Sequence, residues 1–147
     1  MWSTIQFIST WASCATSKMQ FILSCQKRII RLILKKNRHQ PSSPLLKKLK
    51  LLHLHDINNL NAALFVFKAI NDLIPSPITF IRNAPGLYNL RRSEELKIPF
   101  TRSQQSKRFI SIKGAKLWNE LPLNIRSSLT IHNFKKKLKE HYLQLYQ

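Results

Sequence analysis

The sequence predicts a mostly α-helical fold, a small irregular bundle with a proline-containing extended segment in the middle. Three observations carry that expectation. Only two glycines occur in 147 residues, whereas tight hairpins, dinucleotide-binding turns and phosphate loops all depend on glycine's positive φ. Apolar residues recur at steps of three and four, which lays them along one helical face. Four of the seven prolines fall between residues 75 and 105, where they break any regular element.

Taken in order, residues 1–17 form a poorly defined segment, a weak strand or the start of a helix, with Trp2, Phe7, Ile8 and Trp11 among small polar residues. Residues 18–74 read as basic amphipathic helices. From about Lys18 to Lys36, Met19, Ile22, Leu23, Ile29, Ile30 and Ile33 make a stripe, with Lys27, Arg28, Arg31 and Lys35 mainly on the other side. The run "NRHQPSSP" then breaks the chain. Ser43 is placed to cap a new helix and Pro44 suits its first turn, so "LLKKLKLL" becomes a short basic helix. Asp56 is the next expected cap, before a stripe of Ile57, Leu60, Leu64, Phe67, Ile70 and Ile74 that Pro75 ends.

Residues 75–105 read as an irregular connector, and residues 106–147 as the C-terminal helices. The first of these runs from about Ser106 to Asn119 and stops at Leu121-Pro122. Thr130 caps the last helix, whose Ile131, Phe134, Leu138, Tyr142 and Leu145 share a face. Trp118, Leu121, Pro122 and Phe134 are the expected structural anchors of this region. The company of Trp118 is apolar (Leu117, Leu121, Ile125), which makes it a core residue rather than a base-stacking one.

Charge is the outlier. Twenty-five Lys and Arg face six Asp and Glu, a formal net charge of +19. Such a surplus repels itself in a compact state and points to a polyanion, nucleic acid before an anionic membrane. No acid precedes Asp56, so the first third carries its basic residues unopposed, and the last 47 residues hold ten bases against Glu120 and Glu140. Lys27, Arg28, Arg31, Lys35, Lys36, Lys47, Lys48, Lys135, Lys136, Lys137 and Lys139 are the candidate phosphate contacts. Arg91 and Arg92, with Arg102, Lys107 and Arg108, form a second cluster, on an expected loop.

Several classes drop out. No run of about 18 apolar residues exists, and the mean hydropathy is −0.23, so no membrane partner is expected. Cys14 and Cys25 are too few and too casually spaced for a disulfide framework, which fits a reducing compartment, nucleus or cytoplasm. A mitochondrial transit peptide normally shows arginine earlier, whereas the first basic residue here is Lys18. His53 and His55 with the two cysteines lack the short paired spacing of a zinc site. Neither metal, cofactor nor small-molecule substrate is expected. The adjacent Glu94 and Glu95 sit beside Arg91 and Arg92 as a local ion pair, and no catalytic constellation is legible.

The string "GAKLWNELPLNIRSS…FKKKLKEHYL" closely resembles the carboxyl-terminal tail of reverse transcriptases from LINE-like, jockey-type non-LTR retrotransposons. That tail reads Gly-x-x-Leu-Trp-Asn-x-Leu-Pro-x-x-Ile, followed by Phe-Lys-x-x-Leu-Lys. The blocks "CQKRIIRLIL", "PLLKKLKLLHLHDI", "ALFVFKAINDLIP" and "YNLRRSEELKIPFTRS" resemble it upstream, in the right order. Together they span roughly Trp11 to Tyr142, and Met1 to Thr10 departs from the pattern. The resemblance implies a parent RNA-directed DNA polymerase, of which this chain is a fragment from the thumb end to the tail. Such enzymes hold two metal ions on adjacent aspartates with a third nearby. This chain has no Asp-Asp pair, and Asp56 and Asp72 stand alone, so no catalysis is expected from it. Its implied partners are RNA or DNA, through the phosphate backbone, and the polymerase core of the full-length protein. The rival expectations are a packing element that braces that core, or a decayed element with no selected function.

Overall fold

The computed structural model describes residues 16–75, 78–82, 95–103 and 106–146, with side chains described from Met19 onward. It is a small all-α bundle. Six α-helices follow in order: α1 (Thr16–Ile33), α2 (Ser42–Lys48), α3 (Leu54–Ile70), α4 (Ile110–Glu120), α5 (Leu123–Arg126) and α6 (Ile131–Gln144). A 3-10 turn at Ser106–Arg108 precedes α4. Of the segment 1–17 expected as a weak strand or helix start, residues 1–15 lie outside the described residues, as do residues 83–94. What is described of the connector is irregular, with a single antiparallel bridge between Arg82 and Leu96.

Helix α3 is the centre of the fold. It packs against α4 and α6, while α1 rests on α2 and the edge of α3. The expected stripe of α3 is only part of what it buries: Ala62, Ala63, Phe65 and Val66 are buried along with Leu60 and Phe67. A helix surrounded on most sides needs small residues where its neighbours come closest. Gly114 of α4 meets that need, because a Cβ there would lie 2.6 Å from Val66 Cγ2. Below it, Phe67 stacks on Phe134 with ring centroids 4.6 Å apart, and Trp118 stacks on Phe134 at 5.8 Å. Such pairs contribute beyond the area they bury.

The Trp-Asn-x-Leu-Pro run is a set of four separate fastenings. Trp118 and Leu121 enter the core. Asn119 grips the connector: its Oδ1 accepts from Leu96 N at 2.8 Å, and its Nδ2 donates to Leu96 O at 2.9 Å. Pro122, with φ −57° and ψ 147°, then turns the chain into α5. Thr130 caps α6 as expected, its side chain accepting from Asn133 N at 3.3 Å.

Several local expectations are corrected. Ser43 lies inside α2 and Pro41 holds the N-cap position, although Pro44 does sit in the first turn. Asp56 lies in the first turn of α3, behind an N-cap at His53. Helix α3 stops at Ile70, well before Pro75. The stop follows a pattern repeated three times, at Lys35 (φ 49°), Lys50 (φ 53°) and Asp72 (φ 52°). At each, the residue after it bonds back five positions and the residue itself bonds back three: Lys36 N to Arg31 O, Leu51 N to Leu46 O, Leu73 N to Lys68 O. This is the left-handed helix ending that glycine usually serves. With almost no glycine available, lysine and aspartate take the strained backbone. Helix α2 accordingly ends at Lys48 rather than running through "LLKKLKLL".

On the last helix Phe134, Leu138 and Tyr142 face the core, but Ile131 and Leu145 are exposed and Tyr146 is buried in place of Leu145. Tyr146 fastens the C-terminal end to the start of α3. Its hydroxyl donates to Asp56 Oδ2 at 2.5 Å and accepts from His53 N at 2.8 Å. Its carbonyl accepts from Lys47 Nζ at 3.0 Å. The stripe of α1 is corrected most. Ile30 is buried, whereas Ile22, Ile29 and Ile33 are exposed, joined by Phe21 and Leu32.

Candidate nucleic-acid interface

Helix α1 presents three faces. Successive residues turn by about 100°, so residues seven apart lie nearly above one another. Leu23, Gln26 and Ile30 form the inward face. Gln26 holds it there, its Nε2 donating to Leu52 O at 2.9 Å and its Oε1 accepting from Leu54 N at 3.2 Å. Lys27, Arg28 and Arg31 form the cationic face. Phe21, Ile22, Ile29, Leu32 and Ile33 form an exposed apolar face.

The cationic face is completed by the turn that ends the helix. Left-handed Lys35 reverses the chain, and Arg31 Nε donates to Gln40 O at 3.0 Å, tying the returning segment to the helix. The result is an open hollow of about 610 Å³, lined by Lys27, Arg28, Arg31, Lys36 and Arg38 with Ser24 and Leu32. No carboxylate is among those lining residues. Like charges at about 4 Å repel by about 1 kcal/mol even in bulk water. Five cations around one hollow therefore form a site whose repulsion an anion relieves.

The structure brings four of the nominated residues together here, Lys27, Arg28, Arg31 and Lys36. Lys35 serves as the hinge rather than the lining. Arg38 is an addition that helix-face reasoning missed, because it lies in the breaker after the helix. Its position depends on the reversal at Lys35, which helical periodicity does not signal. Lys47 is committed to the Tyr146 carbonyl, and Lys48 is exposed beside it. On α6, Lys135, Lys136, Lys137 and Lys139 are all exposed, with Lys137 Nζ donating to Asn124 O at 2.9 Å. Arg91 and Arg92, and the ion pair expected with Glu94, lie outside the described residues. Arg102, Lys107 and Arg108 are exposed.

Near the Lys137 contact is a second hollow of about 440 Å³, lined by Arg82, Trp118, Leu123, Asn124, Arg126 and Ser127. It is smaller and holds fewer cations. Among the described residues, no group of three or more His, Cys, Asp or Glu side chains is placed to hold a metal ion. His53 instead packs edge-on against the Tyr146 ring at 4.9 Å. Its pKa is lowered, by burial first and by Lys27 in addition, against the opposing pull of Asp56. Burial also pushes Tyr142 up to about 12, helped by Asp56 and Glu120. Both groups lie in the packed region, and Lys27 is the one lining residue of the hollow that acts on His53.

Among the described residues, no helix is long and apolar enough to cross a membrane. No family model, curated protein or solved structure matches the chain. Fold and surface together define a small all-α protein with a cationic hollow at the end of its first long helix.

Proposed function

We propose that this chain is a non-catalytic nucleic-acid-binding module, derived from the C-terminal region of a retrotransposon reverse transcriptase. It grips template RNA or target DNA through phosphates, beside the polymerase core of its parent. One observation supports the grip above the others: five cations meet in one hollow that no lining carboxylate neutralises. The exposed lysines of α6 supply a further cationic face. The origin rests on the ordered sequence blocks that resemble that family.

Phosphate contacts of this kind fix position without reading bases. They release counterions, so affinity falls with salt, with a slope of about −0.9 per phosphate neutralised on duplex DNA. The purified chain should bind RNA and DNA oligonucleotides with a Kd in roughly the micromolar range at about 50 mM salt, with little sequence preference. Fluorescence anisotropy across a salt series tests this. A combined Arg28→Glu, Lys36→Glu, Arg38→Glu variant should weaken binding at least about tenfold and flatten the salt slope. Its thermal stability should stay unchanged, since the three side chains lie outside the core. Binding that ignores salt, or survives the triple reversal, would sink the reading.

A further inference from the structure

The second hollow, beside α5, is built from separate parts of the chain that the fold fastens together. Arg82 comes from the connector, Trp118 from α4, and Leu123 and Arg126 from α5. Asn119 sets Arg82 in place. It clamps both backbone groups of Leu96, and Leu96 pairs with Arg82 in the antiparallel bridge. Lys97 N donates to Ile81 O at 2.8 Å and secures the same pairing. Arg126 is half-buried with its Nε shielded from water, so packing holds its side chain at the wall. A third cation reaches the rim, where Lys137 Nζ donates to the carbonyl of the lining residue Asn124 at 2.9 Å. No carboxylate is among the lining residues.

Charge and shape select the ligand class. A phosphodiester in a strand carries one negative charge, whereas a phosphate monoester carries about 1.5 to 2 near pH 7. Two guanidiniums with an ammonium at the rim match the monoester, and a guanidinium fork takes phosphate oxygens in pairs. The hollow is not only ionic. Leu123 is 61% exposed and the Trp118 ring closes the inner wall, so an apolar surface lies beside the cations. The volume, about 440 Å³, falls within the range of small-molecule sites. A bare phosphate would leave that wall and most of the space unused. Asn124 and Ser127, both exposed at the hollow, offer donors and acceptors that the edge of a base can meet and a phenyl ring cannot. We propose that the hollow between the connector and α5 binds a nucleoside monophosphate, its phosphate on Arg82 and Arg126 and its nucleoside against Leu123 and Trp118. The source is a free nucleotide or the phosphorylated end of a strand. The inference rests on neither the α1 hollow nor the chain's origin.

The full chain is titrated with AMP while NMR follows the indole N–H signals of its three tryptophans. The Trp118 signal, assigned by elimination with Trp2→Phe and Trp11→Phe, should move with a Kd below about 1 mM. Adenosine, inorganic phosphate and O-phosphotyrosine should each bind at least about tenfold more weakly. Arg82→Gln should weaken AMP binding at least about tenfold, and Leu123→Ser should lower it to the level of inorganic phosphate. Arg102→Gln, at an exposed arginine elsewhere, should change nothing. The Arg28→Glu, Lys36→Glu, Arg38→Glu variant should keep the full AMP response, which separates this site from the α1 hollow. Circular dichroism checks the helical fold of each variant. A decamer with a 5′-phosphate that moves the Trp118 signal makes a strand end the source, and movement with AMP but not the decamer makes it a free nucleotide. Equal affinity for any of the three control ligands, or an equal response to a decamer with a 5′-hydroxyl, would overturn the proposal. So would a Trp118 signal that AMP leaves still, or full AMP binding by Arg82→Gln.

Discussion

Helices α1 and α3 are nearly equal in length, 18 and 17 residues, and both carry isoleucine, leucine and phenylalanine at helical spacing. Yet α3 is buried along most of its length, whereas Ile30 is the one buried residue described in α1. Small residues make the difference. Ala62 and Ala63 on α3, with Gly114 and Ala115 on α4, let neighbouring backbones approach. Helix α1 contains neither alanine nor glycine, and arginine or lysine breaks its apolar rows. Amphipathic spacing therefore says that a helix will bury a face, while the size of its residues decides how many neighbours it can admit. Helix α1 is accordingly the one with spare faces.

The sharpest way to break this contrast is a pair of truncations. Trp118→Ala removes a ring stacked between α4 and α6 and should cost about 3–5 kcal/mol in chemical denaturation. Leu32→Ala, at 77% exposure, should change stability by less than about 0.5 kcal/mol. Comparable costs at the two sites would mean that α1 is packed after all. Gly114→Ala tests the close approach more finely. Alanine favours a helix over glycine by about 1 kcal/mol, but the new methyl would collide with Val66 Cγ2. Overpacking of this kind costs about 1–3 kcal/mol, so the variant should be less stable on balance. A stabilised Gly114→Ala protein would show that α3 and α4 have room to separate.

Much of this was legible in the sequence, and the failures have physical causes. The all-α fold, the cap at Thr130 and the core role of Trp118 follow from local chemistry, namely glycine poverty, a hydroxyl before an apolar run, and an apolar neighbourhood. Of the candidate site, Lys27, Arg28 and Arg31 could be placed on one face of α1 by periodicity alone. Arg38 could not, because its position depends on the backbone reversal at Lys35, and nothing about a lysine announces a left-handed φ. The same blindness moved the end of α3, where Asp72 rather than Pro75 closes the helix. Tyr146 escaped for a different reason. Its partners His53 and Asp56 are about 90 residues away in sequence, and no local pattern encodes so distant a contact.

That distant contact gives the third prediction. Tyr146→Phe keeps the ring on His53 but deprives Asp56 of its hydroxyl donor and His53 N of its acceptor. Hydrogen bonds to charged groups contribute about 1.5–3 kcal/mol, and the partial exposure of Asp56 brings the expected loss toward the lower figure. Denaturation should show it, with α6 fraying first in hydrogen exchange. Salt-dependent binding of oligonucleotides should be unchanged, because the hollow lies on α1. A loss of binding in this variant would tie the two regions together and weaken the contrast drawn above.

The smallest effect expected is also the one that joins the two regions. His53 belongs to the packed end of α3, yet Lys27, one of its perturbing charges, lines the hollow. Burial and Lys27 favour the neutral imidazole in the folded chain, so its folded pKa lies below the ordinary 6.5. The unfolded chain then takes up a proton first as pH falls. Stability should be at its full value above pH 6.5, decline as pH drops through that point, and level off below the folded pKa. His53→Gln should remove this component from a series of thermal melts between about pH 8 and pH 5. A wild-type protein that instead gains stability on acidification would refute the burial argument. A phosphate held against Lys27 should cancel part of that ammonium's influence and raise the His53 pKa. NMR titration of its ring protons should therefore move upward in pH when an oligonucleotide is added, and back again at high salt. No movement would mean that the anion settles on Arg31, Lys36 and Arg38 and leaves Lys27 uncovered.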